Sequence, residues 1–317
     1  MKILFTGGSS LTGMAFVQQL AKAGHDVTAI FRSRHEDYEG IRRERIDKIR
    51  DSCTPIFSCP FGSEPFLTLI QQSTWDLLCH HAADVTNYRS PDFDFAKALA
   101  NNTCNIEKTL RSLQTKGCSR VLLTGSVFEQ GEGDGTDNLR AVSPYGLSKG
   151  LTADVFKYFA NLLDMKLAKF VIPNPFGPYE EGRFTNYLIQ SWYSNQTPTV
   201  NTPLYVRDNI DTSLLALAYV DFAKNLSGNS EFEKFNPSCY CESQGAFTAR
   251  FAREIGSRLG IACPFELKEQ TVFTEPQVRV NFNPLDYRGL GWKEETAWDN
   301  LADYYLYRYA TRMSYCE

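Results

Sequence analysis

The chain has 317 residues, 43% of them hydrophobic, and its 33 Lys and Arg against 37 Asp and Glu give a net charge of -4. Near-cancelling charge with ample apolar material, including 22 Phe and 16 Tyr, excludes a disordered chain. The missing basic excess argues against a nucleic-acid binder working by phosphate attraction, and no apolar run reaches the roughly 18 residues that span a bilayer.

The chain starts directly at Lys2-Ile3-Leu4-Phe5-Thr6. It shows none of the charged lead, apolar core and cleavage site of a signal peptide, so a cytoplasmic location is expected. At about 150 residues per domain the length fits two domains or one large one. Such a chain buries about three quarters of its unfolded surface and needs no disulfide or metal staple. The nine cysteines are odd in number and scattered, with no Cys-x-x-Cys pair, and read as reduced thiols. His80 and His81 are neighbours on a strand and point to opposite faces, so no metal site is expected.

Ile3 to Thr6 reads as the first strand. The loop Thr6-Gly7-Gly8-Ser9-Ser10-Leu11-Thr12-Gly13 follows it. It opens a helix over Ala15 to Ala23, with Phe16, Val17, Leu20 and Ala21 on one face and Gly24 as its stop. Glycines here permit a tight turn and close backbone approach to a pyrophosphate, which the helix N-terminus attracts. Gly7, Ser9, Ser10, Leu11, Thr12 and Gly13 are therefore candidate dinucleotide contacts; the alternative is an ordinary strand-to-helix turn. Ser10 stands where most such loops carry a middle glycine, and its hydroxyl could bond a phosphate oxygen.

Val27 to Phe31 is a second strand, ending in Phe31-Arg32-Ser33-Arg34. An NAD binder usually places a carboxylate here for the ribose 2'-hydroxyl. No carboxylate is available at the strand end. Arg32 and Arg34 suit a 2'-phosphate instead, so NADP is favoured, with NAD as the alternative; the bland reading is two arginines solvating a loop. The charged stretch Arg42 to Arg50 reads as a solvated helix or loop. Pro55 to Ser58 is a third strand, and Ser58-Cys59-Pro60 lacks the Asp that often meets the adenine. Asp76 to His80, Arg120 to Thr124 and Lys166 to Pro173 are further strands, separated by helical patterns such as Phe93 to Leu113.

Apolar strands alternating with helices imply a parallel sheet covered on both faces. The expected fold is α/β, a Rossmann-type doubly wound sheet over residues 1–174. A smaller mixed α+β lobe over 175–317 follows, mainly substrate-binding, with some segments returning to the sheet. The cleft between the two would take the substrate.

Ser143-Pro144-Tyr145-Gly146-Leu147-Ser148-Lys149 is the strongest chemical signal. Pro144 suits a helix start, which puts Tyr145 and Lys149 on one face, one turn apart. A free tyrosine ionises near pH 10 and is a poor base at neutrality. An ammonium one turn away stabilises the phenolate and lowers that value. The bland reading is a surface tyrosine beside a solvated lysine.

The loop, the strand-end Ser126 and the Ser-Pro-Tyr-Gly-x-Ser-Lys run resemble the extended short-chain dehydrogenase/reductases, the nucleotide-sugar epimerase/dehydratase group. The resemblance implies Tyr145 as acid/base, Lys149 as its partner and holder of the nicotinamide ribose, and Ser126 as a hydrogen-bond donor to the reacting oxygen. It implies that Asn105 steadies the active-site helix and that His81, Ala82 and Ala83 lie beside the nicotinamide. On the substrate side Asn174 and Arg207 match residues that reach a nucleotide diphosphate, and Arg279 is a weaker match. Asn174 could instead cap a turn, and Arg207 could pair with Asp208 or Asp211. Helices around Phe93 to Leu113 and Ala153 to Leu163 resemble those that pair two copies into a homodimer.

Sugar 4,6-dehydratases of this family carry an Asp-Glu pair directly after the position of Ser126, where this chain has Val127 and Phe128. Neither side chain transfers a proton, so dehydration is not expected. A 4-keto reductase of a nucleotide-linked deoxysugar, using NADPH and serving surface polysaccharide synthesis, is the leading expectation. The stretch from Arg183-Phe184-Thr185 to Gln196 and then Arg207 is similar to CDP-3,6-dideoxyhexose synthases. A 4-epimerase with tightly held NAD is the alternative. A regulator that binds NADP without turnover is a third, against which the intact Tyr145 and Lys149 argue.

Overall fold

The computed structural model describes residues 1–226 and 232–313, side chains through residue 310. Strands of three or more residues are β1 (Lys2–Thr6), β2 (Asp26–Ile30), β3 (Thr54–Ile56), β4 (Leu77–His80), β5 (Arg120–Ser126), β6 (Lys166–Ile172), β7 (Asn174–Phe176), β8 (Val206–Asp211), β9 (Phe232–Phe235), β10 (Tyr240–Ser243) and β11 (Val278–Val280). The α-helices are α1 (Leu11–Lys22), α2 (Gly40–Ile49), α3 (Glu64–Gln72), α4 (Phe95–Asn102), α5 (Ile106–Thr115), α6 (Pro144–Leu162), α7 (Phe184–Tyr193), α8 (Thr212–Lys224), α9 (Gln244–Leu259) and α10 (Glu294–Met313).

Seven strands form one sheet in the order β9-β6-β5-β4-β1-β2-β3, with every pairing parallel. β1, β4, β5 and β6 are almost wholly buried, as a sheet covered on both faces requires. α1 and α8 pack on one face, and α3, α5 and α6 on the other. This is the doubly wound α/β architecture expected. Strand order reverses between β4 and β1, and in such sheets ligands bind in the crevice at the carboxyl ends of the strands there.

Chain beyond residue 175 contributes to this layer. β9 extends the sheet edge beside β6. On α8, Tyr219 stacks on Phe16 of α1 with ring centroids 3.9 Å apart and planes 8° from parallel. A second, mixed sheet centres on β8, which runs antiparallel to β10 and parallel to β7 and β11. Beneath it α7, α9 and α10 enclose a separate core that includes Phe176, Trp192, Phe247, Phe251, Trp298 and Tyr305. Among the described residues no helix is long and apolar enough to cross a membrane.

Two local expectations need correction. The helical stretch Phe93 to Leu113 is two helices, α4 and α5, because Asn105 takes a left-handed conformation (φ 49°) between them. Asparagine tolerates that region better than most residues, and its Nδ2 donates to Gly62 O at 2.8 Å. The charged stretch Arg42 to Arg50 is not simply solvated. α2 buries Arg45, Ile46 and Ile49, and Arg45 is only 1% exposed. Its guanidinium donates to Tyr179 O at 3.1 and 2.6 Å and meets Glu181 Oε1 at 3.1 Å. Those partners lie more than 130 residues along the chain, beyond the reach of charge counting.

Replacing Tyr219 with alanine removes the ring that joins α8 to α1. Tyr219→Ala should lower the unfolding free energy by about 3–5 kcal/mol, read from urea denaturation.

Candidate active site

The loops after β1 and β4 are stitched together at the reversal of strand order. Gly7 lies at φ +86°, and a Cβ on it would come within 2.7 Å of Ala82 N. A Cβ on Gly13 would overlap Gly7 O, so both glycines are needed for the close approach. Thr6 Oγ1 accepts from His81 N at 3.2 Å and Ala82 N at 3.1 Å, and lies 3.1 Å from His80 Nδ1. With two N–H groups already on that oxygen, its proton is left for His80. Burial pushes His80 and His81 down to about 3, with Lys149 adding to the effect, so both rings are neutral.

Ser10 is the N-cap of α1. Its hydroxyl accepts from Gly13 N at 3.0 Å, donates to Gly7 O at 3.1 Å and meets His81 Nε2 at 2.9 Å. The same ring nitrogen lies 3.1 Å from Thr12 Oγ1. The middle position of the loop is thus committed to capping and to His81, which shapes the crevice without offering a free hydroxyl. Leu11 and Thr12 are buried in the first turn. Ser9 O receives Arg45 Nη1 at 3.4 Å, so a buried cation lies behind the loop. The chain leaves a cradle of backbone N–H groups and glycines that fits a dinucleotide pyrophosphate.

Past β2, Arg32 and Arg34 are both exposed. Arg34 pairs with Asp37 at 2.9 Å and Glu36 at 3.3 Å. Arg32 faces Asp84 electrostatically. Carboxylates therefore do stand near this strand end, at Glu36 and Asp37, a few residues further along the chain.

α6 starts as the sequence implied. Ser143 caps it by accepting from Gly146 N at 3.2 Å, and Pro144 is in its first turn. Gly146 lies against the chain after β5, where a Cβ would overlap Phe128 O. That contact sets Tyr145 and Lys149 against the ends of β5 and β4. Tyr145 is half-buried between the rings of Tyr88 and Phe93, with centroids at 5.4 and 5.9 Å. Burial and the Glu129 carboxylate raise its ionisation above the usual tyrosine value, while Arg183 pulls the other way. Lys149 is buried and donates to Thr124 O at 2.5 Å. Burial lowers its ionisation, and Glu129 opposes that. The ammonium is thus turned onto a backbone carbonyl here, and the phenol keeps its proton. Ser126, partly exposed at the end of β5, accepts from Phe128 N at 3.3 Å.

Sequence reasoning missed the charged cluster behind this set. Glu129 is fully buried, and its Oε1 accepts from Ser126 N at 2.6 Å. Its Oε2 lies 2.5 Å from Lys169 Nζ, which also meets Glu132 Oε1 at 2.7 Å. A signal existed: Lys169 interrupts the apolar run of β6, and a lysine in a doubly covered strand must find a buried carboxylate. Which carboxylate it finds is not readable from spacing.

The expected substrate residues lie on the second sheet and beside it. Asn174 starts β7 and pairs in register with Asn209 on β8. Arg207 stacks over the Tyr205 ring at 4.6 Å, donates to the carbonyls of Val206 and Pro276, and pairs with Glu275 at 3.0 Å rather than with Asp208 or Asp211. Arg279 is fully buried and braces the chain after β5, donating to Val127 O at 2.9 Å, Glu129 O at 3.0 Å and Arg140 O. Asn105 holds Gly62 O between α4 and α5. Two further charged groups stand at the start of α7, and Arg183 acts on Tyr145. Arg183 donates to Pro175 O at 3.3 Å. Glu180, buried beside Thr185, is pushed up to about 7 by burial.

Comparison with known proteins identifies the family and the fold. The family model described as the NAD dependent epimerase/dehydratase family matches residues 3–235. No curated protein matches the chain. Among solved structures, a UDP-glucose 4-epimerase from Thermotoga maritima with UDP-glucose superposes with a TM-score of 0.73 at 15% identity, covering 97% of this chain and 99% of that one. A UDP-glucose 4-epimerase from Stenotrophomonas maltophila with NAD and formylated UDP-arabinopyranose gives 0.72 at 19% identity, covering 100% of both. A UDP-glucuronic acid 4-epimerase from Bacillus cereus with UDP-glucuronic acid and NAD gives 0.71 at 15% identity, covering 96% and 99%. At these identities the neighbours establish a common fold. With the glycine loop at the strand reversal and the family model spanning 3–235, the chain belongs to the NAD-dependent epimerase/dehydratase family, the extended short-chain dehydrogenase/reductases.

Proposed function

We propose that the protein reduces the 4-keto group of a nucleotide-linked deoxysugar with NADPH. The observation that carries this reading is Arg32, exposed just past β2, whose guanidinium suits a 2'-phosphate. Burial and Glu129 favour the phenol form of Tyr145, the form a general acid needs before it gives up a proton. Val127 and Phe128 after Ser126 offer no group for elimination.

When bound, the nicotinamide supplies the hydride. Gly7, Ser9, Leu11, Thr12 and Gly13 would cradle the pyrophosphate, with His81, Ala82 and Ala83 beside the ring and Asn105 bracing the wall. Ser126 would orient the carbonyl oxygen and Tyr145 would protonate it. Lys149 would leave Thr124 O for the nicotinamide ribose. Asn174 and Arg183 would face the nucleotide sugar from the lobe built after residue 175. Arg207 would exchange the Glu275 carboxylate for a phosphate, while Arg279 acts from behind through the backbone. Exposed Phe95, Tyr158 and Leu162 on α4 and α6 would serve pairing of two copies.

The second reading is a 4-epimerase with retained NAD. Glu36 and Asp37 favour it, because carboxylates near the end of β2 suit ribose hydroxyls. The neighbours that carry NAD point the same way.

A screen of nucleotide sugars and their 4-keto derivatives for NADPH oxidation tests the reduction. Turnover without added cofactor, by protein that carries NAD through gel filtration, would establish the epimerase instead. Tyr145→Phe should lower kcat by about 10²–10⁴-fold while NADPH still binds. Arg32→Ala should weaken NADPH binding by about 10–100-fold and leave NADH binding unchanged; equal losses for the two cofactors would point to NAD.

A further inference from the structure

Behind the proton-transfer set the fold buries four charges in a place with no solvent. Glu129 and Glu132 come from the chain after β5, Lys169 from β6 and Lys149 from α6. Glu129 is 0% exposed, and Glu132, Lys149 and Lys169 are each at or below 5%. Burying an ion costs several kcal/mol unless it is paired, so the arrangement is built rather than incidental. Lys169 lies between the two carboxylates, 2.5 Å from Glu129 Oε2 and 2.7 Å from Glu132 Oε1. Glu132 is then closed off by Lys234 at 3.1 Å and Asn236 Nδ2 at 3.2 Å. Its charge is fully answered without α6.

Glu129 is different, because it faces the catalytic side. Its Oε1 takes the Ser126 N–H at 2.6 Å. Gly125 carries no side chain, and Lys169 passes over it; a Cβ there would lie 2.5 Å from Lys169 Cε. Arg279 clamps Val127 O and Glu129 O, so the carboxylate cannot swing away with its backbone. Among the described residues Lys149 bonds a carbonyl, Thr124 O, and a carbonyl carries no net charge. Glu129 is bonded to Ser126 N, two residues from Thr124 on β5, and within the described residues it is the carboxylate that acts on that ammonium.

We infer that Glu129 is a positioning residue for the reaction: its carboxylate orients Ser126 through the backbone N–H and sets a countercharge behind Lys149. Burial raises the Glu129 carboxylate above its usual range, and Lys169 opposes that rise. The inference rests on the proposed proton transfer by Tyr145. The groups that face the cluster are Tyr145 and Lys149 from α6, Lys169 from β6 and Glu132 from its own loop. Neutral His80 and His81 face it from the end of β4, Arg279 from β11, and Arg183 and Tyr88 on the far side of Tyr145. Glu129 also raises the Tyr145 ionisation directly, so its removal acts on both members of the pair. The effect through Lys149 is distinct because it appears in NADPH binding as well as in kcat.

The test is the pH profile of kcat and of NADPH binding, the latter followed by nicotinamide fluorescence. Glu129→Gln keeps an acceptor for Ser126 N and removes the charge. Its alkaline limb should move down by about one pH unit or more in both readouts. Lys169→Met leaves Glu129 without its main partner, and its acid limb should move up by a similar amount. Lower activity with both limbs unmoved would reduce the cluster to a structural role and overturn the inference. If Glu129→Gln does not fold, the Lys169→Met acid limb decides alone. If the wild-type protein turns over no nucleotide sugar but binds NADPH, the proposed reaction fails while the binding profiles still decide the role of Glu129.

Discussion

Helix α6 can bring a tyrosine and a lysine to the end of the parallel sheet only by touching backbone. The contact is between Gly146 and the carbonyl of Phe128, at a distance that no side chain would permit. The 127–129 segment is in turn held by Arg279 from the second sheet and by the Glu129 side chain folded back onto Ser126 N. Helix, strand end and lobe therefore share one short stretch of chain. The positions of Ser126, Tyr145 and Lys149 follow from it.

The cofactor side is organised on the same principle of backbone approach. Gly7 lies on Ala82, Gly13 on Gly7, and Thr6 gathers the N–H groups of His81 and Ala82. Ser10, which a phosphate-binding reading would aim at the ligand, turns inward to cap α1 and hold His81. The loop is thereby rigid before any ligand arrives, and preorganised N–H donors cost less to align at binding. Arg45 extends the frame by joining Ser9 to Tyr179 and Glu181, so the phosphate loop and the segment leading into α7 are tied through one buried guanidinium.

The strands β1 to β6 were legible because each is a short apolar run between helical patterns, and parallel strands buried on both faces can have no other composition. The Gly-rich loop and the Ser143 to Lys149 run were legible because each is a local pattern within one turn or one helix. Less legible were features that depend on a partner far along the chain. Asn105 splits a helix because of Gly62, and Arg45 is buried because of Tyr179. Arg207 pairs with Glu275 rather than with Asp208 or Asp211.

The sequence by itself determined the layered α/β fold, the glycine loop that opens α1 and the helix that carries Tyr145 and Lys149 one turn apart. Each of these rests on interactions between residues a few positions apart. Tertiary structure alone decided which charges are answered inside the protein. Lys169 could have served either carboxylate or solvent, and Glu129 could have been a surface residue of a loop. Their burial together behind Ser126 comes from β6 lying beside β5 with a glycine between them, and an electrostatic interaction through space leaves no spacing in the chain that produces it.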